Sequence, residues 1–135
     1  MKKILATLIS VITMTIVASA ATPSESTYSQ SAKVIICNRS EYTITVKVMK
    51  SEGGLHSTVC LSPRSSRTVS FPKSGNFYTK TKAEKGWETL YKMGSQFNVY
   101  CENDGYTEGT LEFYISSTGG ASGQSISKSE FEKNY

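Results

Sequence analysis

Tyr42-Thr43-Ile44-Thr45-Val46-Lys47-Val48-Met49 alternates without a break. Tyr42, Ile44, Val46 and Val48 fall on one face of an extended chain, and Thr43, Thr45, Lys47 and Met49 on the other. A period of two with one wet face describes a half-buried β-strand. It belongs to antiparallel sheets, because strands of parallel sheets are covered on both sides and read as continuous apolar runs.

The same grammar extends outward in both directions. Upstream, Lys33 to Cys37 (KVIIC) is a short β-rich run, and Asn38 to Glu41 is turn-like. Downstream, Ser51 to Gly54 turns the chain and Leu55 to Leu61 returns it. Pro63 to Ser66 breaks it again, Arg67 to Phe71 points Val69 and Phe71 inward, and Phe77 to Lys82 alternates once more. Glu88 to Met93 reads as a strand or a helical turn, and Gln96 to Cys101 as a strand. Asn103-Asp104-Gly105 is a tight-turn signal before a strand at Thr110 to Ile115. Gln124 to Ser127 can add a last strand, and Ser127 with Glu130 has the spacing of a capping box for a short helix from Lys128. Seven to nine short strands with turns every 8–12 residues predict an all-β, single-domain antiparallel β-sandwich, with a small barrel as the alternative. Ile44, Val46, Phe97, Val99, Leu111 and Phe113 are the expected core.

The N-terminus follows a different grammar. Lys2 and Lys3 precede an apolar stretch from Ile4 to Val17 that is short for a membrane span, and Ala18-Ser19-Ala20 offers a small-x-small cleavage site. Residues 1–20 are therefore expected to be a cleaved signal peptide, 21–32 a flexible leader and 33–135 the sandwich domain. The expected location is secreted or periplasmic, in a bacterial source, with no membrane insertion of the mature form.

Cleavage before Ala21 leaves thirteen basic and eleven acidic side chains with no basic block, which speaks against nucleic acid as a partner. In an oxidising compartment the three cysteines suggest one bridge. Strand phase turns Cys101 inward and Cys60 outward, so Cys37–Cys101 is the favoured pair. Cys37–Cys60 and three reduced thiols are the alternatives.

The chain offers little catalytic material. It has one histidine, His56, and one aspartate, Asp104, with no nucleophile elbow around a serine. His56 and Cys60 share a strand face but stand about 13 Å apart along it, too far for a dyad or a shared metal. Glu102, Asp104 and Glu108 fit a polar turn better than a calcium loop. The expectation is a non-enzyme without cofactor or metal.

Aromatic side chains remain. Phe71, Phe77, Phe97 and Phe113 sit at core phases. Tyr78 falls opposite its Phe neighbours, and Trp87, Tyr91 and Tyr106 lie in or near loops. Trp87, Tyr91, Tyr106 and Tyr78 are accordingly the candidate partner-binding residues, for a glycan or a protein partner. The alternative is a small inhibitor or immunity-type protein that blocks an enzyme through a loop or an edge strand.

Overall fold

A computed structural model describes residues 7–18, 31–116 and 124–135. Its elements in chain order are β1 (Thr7–Ala18), β2 (Ala32–Asn38), β3 (Thr43–Lys50), β4 (Leu55–Leu61), β5 (Ser66–Phe71), β6 (Gly75–Lys85), β7 (Glu88–Met93), β8 (Phe97–Val99), β9 (Cys101–Glu102), β10 (Gly105–Ser116), β11 (Gln124–Ser125) and α1 (Lys128–Glu132). They form two sheets. The first has the order β1-β10-β2-β5, with β9 also on β10; the second has the order β11-β7-β6-β3-β4, with β8 on the start of β6. The two inner faces pack as a sandwich, as the alternation predicts.

The core is the set the strand phases select. Ile44, Val46, Phe97, Val99, Leu111 and Phe113 are all buried, joined by Val34, Ile36, Leu61, Val69, Phe71 and Phe77. Phe71, Phe77 and Phe97 meet edge to face or tilted, with ring centroids 4.7–6.4 Å apart, the arrangement that ring quadrupoles favour. The capping box also forms: Ser127 accepts a hydrogen bond from the Glu130 amide.

Asn38 joins the two sheets. It ends β2 in the first sheet and is 1% exposed. Its Nδ2 donates to the carbonyls of Tyr42, Leu61 and Ser62, which flank β3 and β4 of the second sheet, at 2.7–3.2 Å. Its Oδ1 accepts from the Ser40 amide and hydroxyl. One side chain thus satisfies the polar backbone of the crossover from sheet to sheet.

Several expectations change. The pair β10–β2 is parallel, although every other ladder among the described residues is antiparallel. Met49, assigned to the wet face, is 0% exposed. It keeps the outer phase beside Tyr78 and is covered there; separately, β4 carries a bulge, since Val48 pairs with Ser57 but Met49 with Leu55, which leaves His56 as the extra residue. The bulge turns His56 onto Phe71, with rings stacked at 4.5 Å and 4°, and its Nε2 lies 3.0 Å from the Ser70 carbonyl. His56 is therefore a packing residue.

Part of the outer face of the second sheet is covered as well. α1 lies on it, and Lys80 beneath is 0% exposed. Lys80 Nζ donates to the carbonyls of Glu130 and Lys133 at 2.9 and 3.0 Å and stands 3.5 Å from the Glu130 carboxylate. Its ammonium thus takes up carbonyls at the end of α1, where cations are favoured.

The expected Cys37–Cys101 bridge is not formed, and no two sulfurs among the described residues lie at disulfide distance. Cys37 aligns with Glu112 and Cys101 with Tyr106, six residues apart along β10, or about 20 Å, whereas bridged Cα atoms lie within about 7 Å. Of the leader expected at 21–32, residues 21–30 lie outside the described residues, and Ala32 already pairs with Phe71. Residues 7–18, read from the sequence as the apolar part of a signal peptide, form β1 along the whole of β10.

Candidate functional site

β6 and β7 form a hairpin in which Lys85 pairs with Glu88, leaving Gly86 and Trp87 as the two loop residues. Gly86 has φ +59. Two-residue hairpin loops need a left-handed residue in first position to match the strand twist, and glycine adopts it without strain. Trp87 comes second and is 100% exposed. The root of the hairpin is polar: the Tyr42 hydroxyl donates to the Glu88 carboxylate, Lys85 Nζ stands 5.7 Å from the centre of the Tyr42 ring, and Lys82 pairs with Glu84 at 3.3 Å. The tip is therefore an indole on a braced, charged stalk.

The hydrogen bond to Glu88, followed by burial and the carboxylate's charge, raises the Tyr42 phenol above its ordinary value of 10.0. A phenol raised by folding contributes stability that is complete below the unfolded value and is lost as pH rises through the folded one. Wild type is thus expected to lose stability more steeply above about pH 10 than Tyr42→Phe does. Urea unfolding of both proteins from about pH 8 to about pH 11 checks this; parallel curves would refute it.

The other three candidate residues lie elsewhere. Tyr91 pairs with Lys82 on the outer face of the second sheet, and its ring is 5.5 Å from Phe131 of α1. Tyr78 pairs with Met49, seven residues along β6 from Lys85, or about 23 Å. Tyr106 belongs to the first sheet, where it pairs with Cys101 and packs against the core. The expected aromatic face is therefore dispersed, and Trp87 alone has the exposure the sequence reading asked of it. Strand phase separates inward from outward, but the α1 cover over Tyr91 is set by tertiary packing.

Two features escaped the sequence reading. A cleft of about 400 Å³ opens between the β3–β4 and β5–β6 turns, where Lys50, Glu52, His56 and Lys73 meet; His56 is held there by its stacking and its bond to Ser70. The second is Lys92, buried on the inner face beside Thr81. Burial lowers its pKa, and its Nζ donates to the Leu8 carbonyl at 2.6 Å. No local signal marks a lysine in an alternating strand as inward.

Among the described residues, no three His, Cys, Asp or Glu side chains stand together as metal ligands. Comparison with protein-family models, with curated proteins and with solved structures finds no match.

Proposed function

We propose that this chain is an exported, non-enzymatic β-sandwich that binds a protein partner through the tip of the β6–β7 hairpin. The observation that carries the reading is the complete exposure of Trp87 on a two-residue turn. A large apolar ring held in water gains free energy only when something covers it, and tryptophan is the side chain most enriched among interface anchors. A protein fits better than a glycan. Sugar recognition of this type stacks on a platform of rings, and Tyr78, Tyr91 and Tyr106 do not join Trp87 in one. The inhibitor reading draws on the same hairpin, since a narrow tip with one large side chain suits insertion into an enzyme cleft.

Trp87→Ala is expected to leave the melting temperature unchanged, because none of the described contacts involves the indole. Partner affinity should fall by roughly 1–3 kcal/mol, typical of an aromatic anchor. Capture from the native envelope fraction on immobilised wild type and variant, with circular dichroism melts of both, is the measurement. Equal capture by the two proteins would overturn the proposal. A Trp87-dependent signal on a glycan array would make the partner a glycan, and loss of a captured enzyme's activity would favour inhibition.

A further inference from the structure

The strand β1 poses a physical problem for an exported chain. If residues 1–20 are removed, β10 loses its neighbour along its full length, from Gly105 to Ser116. Leu8, which is buried, leaves the core, and Ile12 and Met14 leave its flank. A twelve-residue edge with an apolar inner face is an open template for strand addition. We propose that in the exported protein this edge is an acceptor groove for an extended strand of another polypeptide, which lies antiparallel to β10 where β1 lies here. This rests on the reading that residues 1–20 are cleaved.

The geometry states what such a strand must carry. Gly109 is a socket: a Cβ built on it would lie 2.2 Å from Met14 Sδ, 2.9 Å from the Thr13 carbonyl oxygen and 3.3 Å from Met14 Cε. These three nearest atoms all belong to β1, so glycine at this position makes room for the seated strand. The socket takes a large flexible side chain, as Met14 is. Two residues along, Ile12 lies beside Leu111, and a further four along, Leu8 lies beside Ile115. Between them Ser10, beside Phe113, enters a small cavity lined by Thr79, Thr81, Lys92 and Gly94. Leu8 and Phe113 complete the lining, and Thr81 Oγ1 is buried there with no hydrogen-bond partner, so a small residue with a hydroxyl suits this point. The required pattern is apolar, small polar, apolar and apolar at alternate positions.

Lys92 makes the recognition partly independent of sequence. Its buried ammonium takes the main-chain carbonyl of Leu8, which any strand in this register supplies. An empty groove leaves the ammonium without this acceptor.

A second copy of this chain fits less well. The antiparallel register of β10 on β10 that seats Leu111 in the Gly109 socket sets Glu108 opposite Glu112, twice. Like charges directly opposite destabilise a ladder.

The experiment uses the protein exported from its full-length precursor. Intact mass is measured first. An N-terminus at or near Ala21 upholds the cleavage reading; a retained Met1 overturns that reading and the proposal with it. A synthetic peptide of residues 7–18, carrying terminal lysines for solubility, is then titrated into the exported protein and followed by calorimetry and thermal melting. The expected result is one peptide per chain and a raised melting temperature. A protein unfolded alone that folds on peptide addition supports the proposal equally. Peptides with Leu8→Asp or Met14→Asp, and protein with Gly109→Ala, should bind about tenfold more weakly or worse, while Gly109→Ala protein without peptide melts with the wild type. A cleaved protein that ignores the peptide, binds it as well with Gly109→Ala, or already pairs β10 with a second copy overturns the acceptor groove and leaves the cleavage reading standing.

Discussion

Replacing Asn38 with alanine is expected to lower folding stability by roughly 2–4 kcal/mol in urea unfolding. The side chain is nearly inaccessible and gathers three backbone carbonyls and the Ser40 hydroxyl. Alanine removes both ends of the amide and leaves those groups in a region that admits little water. An unsatisfied buried polar group costs more than a hydrogen bond contributes, so the loss should exceed the value of any single bond. Asn38→Asp tests the direction of the network: it keeps an acceptor for Ser40 but loses the donors to Tyr42, Leu61 and Ser62, and it adds a charge. It should be at least as damaging as alanine. Ser40→Ala removes the smaller part and should cost about 1 kcal/mol. An Asn38→Ala protein within about 0.5 kcal/mol of wild type, the range of ordinary surface changes, would refute this account. The Asn38-Arg39-Ser40 triplet also has the form of a glycosylation acceptor, but its amide is committed to holding the sheets together.

Leu111→Ala should cost roughly 2–5 kcal/mol, through lost burial and the cavity left behind. Leu111 is 0% exposed, flanked by Ile12 on one side and Ile36 on the other. Val46→Ala, in the second sheet, should cost less per residue because fewer atoms are removed. Thr45→Ala, beside it on the outer face, should stay within about 0.5 kcal/mol. Equal costs for Thr45 and Val46 would show the assigned phase of β3 to be wrong. The two core positions also respond differently to the N-terminus. Val46 pairs with Val59 and Thr81, both outside residues 1–20, so its cost should depend less on β1. Leu111 borders β1, so in a chain beginning at Ala21 its cost should fall unless another strand covers it.

Alternation by itself determined most of the strands from residue 33 onward, and with them much of the core, because a period of two sorts side chains onto opposite faces wherever one face is buried. Tyr42 to Met49, Phe97 to Cys101 and Thr110 to Ile115 carried this signal with no knowledge of their partners. The turn residues and the Ser127–Glu130 cap were equally local, since each is set by backbone conformation within a few residues. Trp87 was legible as a residue outside the core phases. Its isolation from Tyr78, Tyr91 and Tyr106 was not, because sequence spacing does not say which strands lie side by side.

What tertiary structure decided depends on groups far apart in the chain. The bulge at His56 is a mismatch between two strands and exists only in their pairing, yet it stacks His56 on Phe71. Lys80 is buried because a helix fifty residues later covers it and supplies carbonyls. Lys92 is held by a carbonyl eighty-four residues earlier. Residues 7–18 are the sharpest case: a mostly apolar stretch, broken by Thr and Ser, reads as a leader from its sequence, and it pairs as a strand only because the edge of β10 receives it. Strand phase is a property of one segment, whereas the partner of a strand, the cover of a face and the acceptor for a buried charge are properties of two.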